Sequence, residues 1–307
     1  MKIKTVPKSY DDVLAIPPEK HQKPKRVSIL FRLLLKLVSL PDLLAVRFHC
    51  NRIGMEKLGK REPCLILMNH SSFVDLEIAA SVLFPRVFNI VATTDGFVGK
   101  RWLMRQIGCI PTKKFVSEMS LIRDVSYAIK TQKSSVLMYP EASYSFDGTA
   151  TPLPDSVGKF IKHLGVPVVM IRTYGAFSRD PLYNNLQRRK VKVSADLEYV
   201  LSPEDVARMS ADEINAKVGE YFRFDGFRWQ QENRVRIDEP FRADFLNRVL
   251  YKCPSCLAEG EMEGKGIHLT CKACGKVHEL DPYGFLVSPD GNADFSHVPD
   301  WYAWERA

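Results

Sequence analysis

Between residues 64 and 200, short apolar runs alternate with segments of helical periodicity, and this alternation leaves few fold classes open. Strands that are joined through helices form a parallel sheet with the helices packed on its faces. The pattern therefore predicts an α/β fold with a mixed, mainly parallel sheet flanked by helices. The predicted strands are 64–68, 87–92, 135–139, 167–173 and 190–200, and the predicted helices are 74–84, 98–107, 118–131 and 156–164.

Polar motifs follow two of the predicted strands. The run 64–68 leads into Asn-His-Ser-Ser-Phe-Val-Asp at 69–75, and the run 135–138 leads into Tyr-Pro-Glu-Ala-Ser-Tyr-Ser at 139–145. In α/β folds, polar residues at the carboxyl ends of strands commonly build the site. We therefore expect both motifs to contribute to one site.

His70 and Asp75 are candidates for a general base and the carboxylate that orients it. A neutral imidazole can take a proton from a hydroxyl that attacks a carbonyl, and can then return it to the leaving group. It does so best when a carboxylate holds its other ring nitrogen. An alternative remains, because Ser72-x-x-Asp75 also fits a capping box, which would make Asp75 only a helix-start residue.

Four blocks resemble, in order, the motifs of the glycerolipid acyltransferase family, which includes the lysophosphatidic acid acyltransferases. They lie at 69–75, at 108–114 (Gly-Cys-Ile-Pro-Thr-Lys-Lys), at 139–145 and at 166–170 (Val-Pro-Val-Val-Met). The resemblance covers roughly residues 60–175. It implies an O-acyltransferase of phospholipid biosynthesis with His70 as the base. Such an enzyme would transfer a fatty acyl group from acyl-ACP or acyl-CoA to the sn-2 hydroxyl of lysophosphatidic acid.

The same resemblance suggests Glu141, Lys113, Lys114 and Ser143 as substrate-binding residues. The third block departs from the family, because Tyr144 stands where the family has an arginine that is thought to hold the acceptor phosphate. A lysine binds phosphate as a point charge and lacks the bidentate fork of arginine. The acceptor could therefore be another lysolipid or a polar molecule.

Two Cys-x-x-Cys knuckles near the C-terminal end predict a zinc ribbon. Cys253 and Cys256 form one knuckle, and Cys271 and Cys274 form the other. Four thiolates close a tetrahedron around Zn²⁺, which makes the predicted site structural rather than catalytic. Disulfide pairing is the alternative, but no secretory signal is recognisable. No redox or nucleotide cofactor is expected, and the remaining histidines of this region, His268 and His278, are expected on the ribbon surface.

Residues 27–40 are apolar apart from Arg32 and Lys36 and follow the basic segment 23–26. The two charges interrupt the run too often for a membrane span. We predict an amphipathic helix that lies in the bilayer interface and ends at Pro41. The alternative is a helix docked on the catalytic domain. The predicted location is cytoplasmic, with peripheral association to the inner face of the cell membrane.

The chain has 307 residues, of which 45% are hydrophobic and 26% are charged, so it can bury a sizeable core. We predict an N-terminal interface segment at 1–50, an acyltransferase domain at 51–248, and the ribbon with its tail at 249–307. The formal net charge of +8 favours acidic partners such as anionic lipid, acyl carrier protein or coenzyme A. The expected partners are the acyl donor, a lysophospholipid and the membrane surface, not nucleic acid. Two other functions compete with the acyltransferase. One is a binding protein that acts through its ribbon and has an inactive α/β domain, and the other is a thioesterase.

Overall fold

The computed structural model describes residues 6–17, 21–114 and 118–307. Its helices are α1 Tyr10–Leu14, α2 Ile29–Ala45, α3 Val74–Leu83, α4 Arg101–Gln106, α5 Met119–Ser126, α6 Ser156–Leu164, α7 Ala176–Arg179, α8 Pro203–Arg208, α9 Ala211–Phe222, α10 Gly226–Glu232 and α11 Val298–Glu305. Its strands are β1 His49–Ile53, β2 Leu65–Met68, β3 Phe88–Thr93, β4 Cys109–Thr112, β5 Ser135–Met138, β6 Val168–Tyr174, β7 Ser194–Leu201, β8 Met262–Lys265, β9 His268–Cys271, β10 Val277–Leu280 and β11 Leu286–Val287.

Within the described residues, the first seven strands form one sheet in the order β1-β7-β6-β2-β5-β3-β4. Every neighbouring pair is parallel except β6 and β7, which are antiparallel. The predicted mixed, mainly parallel α/β sheet is therefore confirmed. In the central pair, Leu67 lies opposite Met138, so β2 and β5 end side by side at one edge of the sheet.

Side chains that alternate along the strands build a core on each face of the sheet. Ile66 and Met68 pack on one face with residues of α2 and α3. Leu65 and Leu67 pack on the other face with residues of α5, α6 and α9. Because β2 is buried on both faces, it reads as a continuous apolar run, as a central parallel strand should.

The amphipathic helix near the N-terminal end is present as α2, but it does not end where predicted. It continues through Pro41 to Ala45, so the prediction of a break at Pro41 is wrong. A proline removes only one backbone N–H from the helix. Burial of Leu43 and Val46 against the core holds the following turn in place. No helix in the described parts of the chain is both long and apolar enough to cross a bilayer.

The last four strands form a separate antiparallel sheet in the order β11-β10-β9-β8. Its apolar residues join a third core that extends beyond the ribbon. This core contains Phe177 and Phe227 together with Leu246, Leu269 and Trp301. Residues on both sides of the predicted boundary at 248/249 thus share one packed cluster.

Candidate functional site

The structure brings His70 and Asp75 together at the carboxyl end of β2. Asp75 lies in the first turn of α3 and is fully buried. Its Oδ2 atom is 3.0 Å from His70 Nδ1, and it also accepts hydrogen bonds from the backbone N–H groups of Ser71 and Ser72. With Nδ1–H donating to the carboxylate, the neutral ring presents an unprotonated Nε2. That atom is suited to accept a proton.

Asp75 also serves the start of the helix, so the two interpretations of the sequence do not exclude each other. Its carboxylate accepts from Ser72 N, which is one half of a capping box. The other half is missing, because the Ser72 hydroxyl accepts from Val74 N and donates to Asp180. The same oxygen that orders the turn therefore holds the imidazole.

Two tyrosine rings enclose the imidazole of His70. The ring centroids of Tyr139 and Tyr144 lie 4.1 Å and 3.9 Å from that of His70, and both pairs are stacked. Burial raises the pKa of Tyr144, and the nearby Asp75 and Asp180 raise it further, so its phenol stays neutral. The stacking could not be foreseen from the sequence, and the only signal was the position of both tyrosines beside Glu141.

Glu141 connects the two motif loops. It is buried, with Oε2 accepting from the backbone N–H of His70 and Oε1 accepting from that of Thr151, both at 2.9 Å. Burial raises the pKa of Glu141, although these hydrogen bonds oppose the shift. A further hydrogen bond joins the two motif loops, because Ser145 N donates to the carbonyl of His70 at 2.8 Å. Ser143, by contrast, is exposed to solvent.

The lysines of the second block lie farther along the same edge of the sheet. They follow β4, which is three strands from β2, or about 14 Å at the usual strand spacing. Lys114 Nζ pairs with Asp95 at 3.1 Å, and Lys113 Nζ pairs with Glu118 at 3.4 Å. Both lysines are exposed to solvent, so these ion pairs are expected to be weak. Neither lysine is part of the ring stack around His70.

A buried ion network that the sequence motifs do not predict lies behind the dyad. Asp180 accepts from the Ser72 hydroxyl and pairs with Arg179 at 2.9 Å, and Arg179 reaches Asp42 of α2 at 3.3 Å. Burial raises the pKa of Asp180 to about 6. Asp180 is 108 residues from Ser72, and no local pattern marks it as a partner.

The four knuckle cysteines meet in one cluster. Their sulfur atoms all lie within 4.8 Å of one another, and the Cys253–Cys274 and Cys256–Cys271 sulfurs are 3.7 Å apart. A tetrahedral Zn²⁺ with bonds of about 2.3 Å needs sulfurs about 3.8 Å apart, so the cluster fits a metal ion.

The two histidines of the ribbon differ from each other. His268 is exposed, as expected. The prediction that His278 lies on the surface is wrong, because it is fully buried against Trp301 with a ring-centroid distance of 4.8 Å. The covering side chain comes from α11, outside the knuckles, and could not be read from the ribbon sequence.

Parts of this chain are similar to known acyltransferases. A sequence-family model described as Acyltransferase matches residues 49–173. A 1-acyl-sn-glycerol-3-phosphate acyltransferase of Brassica napus, named BAT2, chloroplastic, is 28% identical over 127 residues, covering 40% of this chain and 36% of that protein. The crystal structure of the 1-acyl-sn-glycerophosphate (LPA) acyltransferase PlsC from Thermotoga maritima matches with a TM-score of 0.49 and 17% identity. That match covers 62% of this chain and 76% of the solved one.

The family-model match confirms the predicted resemblance over the part of the chain that carries the four blocks. The chain spans about a third of the length of the curated relative that it matches. The matched segment includes His70, Asp75 and Glu141 and ends before Asp180. The cysteine cluster lies outside it.

Proposed function

We propose that this chain, whose residues 49–173 match the acyltransferase family model, transfers a fatty acyl group from a thioester to a lysophospholipid hydroxyl. The observation that carries the proposal is the 3.0 Å contact between His70 Nδ1 and Asp75, which leaves Nε2 as the basic edge of the ring. As the first candidate, the acceptor is the sn-2 hydroxyl of lysophosphatidic acid. The donor is acyl-ACP or acyl-CoA.

The reaction is a single displacement. His70 Nε2 removes the proton from the acceptor hydroxyl as its oxygen attacks the thioester carbonyl. Asp75 fixes the tautomer and stabilises the imidazolium that forms. The carbon–sulfur bond then breaks, and the imidazolium returns the proton to the departing thiolate. Glu141 keeps the two loops in register, and Ser143 and the lysines at 113 and 114 take part in binding the substrates.

A second acceptor class is favoured by Tyr144. This ring stacks on His70, and the charged groups that act most strongly on its phenol are Asp75 and Asp180, both acidic. The exposed ring of Phe73 packs edge-on against Tyr144, with the two ring centroids 5.6 Å apart. Such a wall suits an uncharged acceptor, for example a monoacylglycerol, better than a phosphomonoester.

Binding to a membrane surface is supported by the outer face of α2. Leu30 and Leu37 are 68% and 61% exposed. The helix cations face inward instead, since Arg32 donates to the Pro85 carbonyl and Lys36 lies 4.4 Å from the Phe84 ring. An apolar face turned to solvent is expected of a helix that lies in the bilayer interface. A peripheral position at the inner face of the cell membrane would give the enzyme access to its lipid acceptor.

A panel of substrates tests the proposal. Purified protein is incubated with labelled acyl-ACP or acyl-CoA and with lysophosphatidic acid, monoacylglycerol or other lysolipids, and the products are identified by mass. We expect an ester product that His70→Ala reduces by about 10²–10⁴. Free fatty acid as the sole product would indicate a thioesterase. Undiminished transfer by His70→Ala would refute the mechanism, and the absence of any product would favour a binding protein.

A further inference from the structure

We propose that the C-terminal module, residues 249–307, positions the active-site loop, and that His297 and Asp225 are the pair through which it acts. The inference rests on the proposed function, because it assigns the module to the same acyl-transfer site. The loop in question is 141–151, which carries Glu141 at one end and Thr151 at the other. Its shape decides where Glu141 lies relative to His70.

The middle of the 141–151 loop is held from one side by the segment before α10. Thr149 forms an antiparallel bridge with Asp225, and the flanking hydrogen bonds are Gly226 N to the Gly148 carbonyl at 2.7 Å and Ala150 N to the Phe224 carbonyl at 3.1 Å. Thr151 N then donates to Glu141. A shift of this segment would therefore be passed directly to the glutamate.

Gly148 shows how close this approach is. Its φ of +90° is in the region that favours glycine, and a Cβ there would lie 2.7 Å from the Phe177 ring. Phe177 belongs to the core that also contains Val298 and Trp301 of α11. The loop thus rests on a surface that the C-terminal module helps to build.

Asp225 is fixed in turn by the C-terminal module. Its Oδ1 accepts from Arg228 N at 2.8 Å, and its Oδ2 is 2.8 Å from His297 Nε2. His297 is buried and stands immediately before α11. The bond joins residues 72 positions apart, across the predicted domain boundary. A second contact is made by Tyr302, whose ring centroid lies 6.0 Å from that of Phe146 in the loop.

Helix α11 connects this pair to the first cysteine knuckle. Trp301 Nε1 donates to the Lys252 carbonyl at 2.9 Å, next to Cys253. Glu305 Oε2 accepts from the backbone N–H groups of Tyr251 and Lys252, both at 3.0 Å. Helix α11 therefore contacts both the knuckle and, through Tyr302, the active-site loop, and the ribbon has an intramolecular partner.

The test compares three variants of the full chain. His297→Ala removes the donor to Asp225, and we expect kcat to fall roughly 10- to 100-fold with an unchanged KM for the donor, because the loop loses its register. His297→Gln retains an N–H donor and should recover to within about threefold of wild type. His268→Ala, at an exposed ribbon histidine, is the matched control and should behave as wild type. Thermal melts confirm that each variant is folded at the assay temperature.

Amide hydrogen exchange of peptides covering 141–151 gives a readout that does not depend on catalysis. We expect exchange to be about tenfold faster in His297→Ala than in wild type or His268→Ala, as for one lost hydrogen bond. The inference would be overturned if His297→Ala had the kcat and the exchange rate of wild type. It would also be overturned if His297→Gln lost as much kcat as His297→Ala. If His297→Ala does not fold, Tyr302→Ala makes the same comparison through Phe146. A wild-type protein without acyl transfer would refute the proposed function alone, since the exchange experiment still tests the loop.

Discussion

A single oxygen atom, Oδ2 of Asp75, orders the centre of the site at the scale of residues. It accepts hydrogen bonds from two backbone N–H groups and faces the imidazole of His70. The other carboxylate oxygen is buried and has no hydrogen-bond partner among the described residues. The charge of Asp75 is thus directed at His70, where the proposed mechanism requires an imidazolium to be stabilised.

Asp75→Asn separates the proposed catalytic role of this residue from its structural one. The amide oxygen can still accept from Ser71 and Ser72, so we expect the helix start and the fold to persist. The lost charge should lower kcat by about 10²–10⁴, since the imidazolium is no longer stabilised. Steady-state kinetics with a circular dichroism control measures the effect. Wild-type turnover would show that Asp75 only orders the helix start.

Tyr144→Arg tests which acceptor the site prefers. A guanidinium at this position could form a charge-assisted hydrogen bond to a phosphate. We expect the ratio of kcat/KM for lysophosphatidic acid over monoacylglycerol to rise at least about tenfold. Tyr144→Phe keeps the stacked ring and is the control, with a ratio close to wild type. An unchanged ratio in Tyr144→Arg would place the acceptor head group elsewhere.

We expect Glu77 to make the stability of the protein depend on pH. Burial and then the nearby Asp42 raise its pKa to about 7, and one carboxylate oxygen is buried with no hydrogen-bond partner in the described parts of the chain. The folded state therefore holds this proton more tightly than the unfolded state does. The free energy of unfolding should fall as the pH rises from about 4.5 to about 7.

We expect Glu77→Gln to remove this part of the pH dependence. The free energy of unfolding of the variant should exceed that of wild type by about 1 kcal/mol at pH 8, but the two should be equal at pH 4. This value allows for solvent screening of a half-buried group. Urea unfolding at both pH values measures it, and Glu56→Gln, at an exposed site, is the control. An equal effect at both pH values would contradict the assignment to Glu77.

At the scale of elements, α2 combines two surfaces. One side packs on α3, while the other exposes leucines to solvent. We expect the double variant Leu30→Glu and Leu37→Glu to lower the partition coefficient onto anionic vesicles at least about 100-fold, since each buried leucine contributes about 1.5–3 kcal/mol. Vesicle flotation measures this, with Val287→Glu on the ribbon as the control. Unchanged flotation would exclude α2 as the membrane contact.

The elements that the sequence predicted well are those with strong local signals. The central strands β2, β5 and β6 are largely apolar because both faces of the sheet are covered. The sequence pattern did not predict β1 and β4, which are the two edges of the large sheet. An edge strand pairs on one side only, so β1 can be largely exposed and β4 can include Pro111.

The site shows the same division between local and distant signals. His70 and Asp75 are five residues apart at a strand end, and their contact could be predicted from spacing and chemistry. The Tyr144 stack depends on ring orientation, which a sequence does not encode locally. Asp180 reaches the dyad only after the chain has crossed the sheet several times, so its role required the three-dimensional structure.

At the scale of the whole molecule, the cysteine cluster is expected to hold one zinc ion per chain. Because α11 contacts the knuckle at Lys252, removal of the metal should lower the melting temperature and speed amide exchange in α11 as well as in the ribbon. Cys256→Ser should remove the zinc, whereas Cys50→Ser, outside the cluster, should not. Elemental analysis and exchange measure both effects. A metal-free wild type with disulfides would contradict the zinc site.

The contact between His297 and Asp225 also affects when the active-site loop can reach its final structure during translation. His297 follows Thr151 by 146 residues, so its synthesis comes on the order of 10 s after that of the active-site loop. During this interval α2 and the dyad have already left the ribosome, but the loop still lacks its C-terminal support. We expect chains arrested before His297 to transfer acyl groups poorly in a translation assay. A growing chain would then reach the bilayer before it can alter the lipids there.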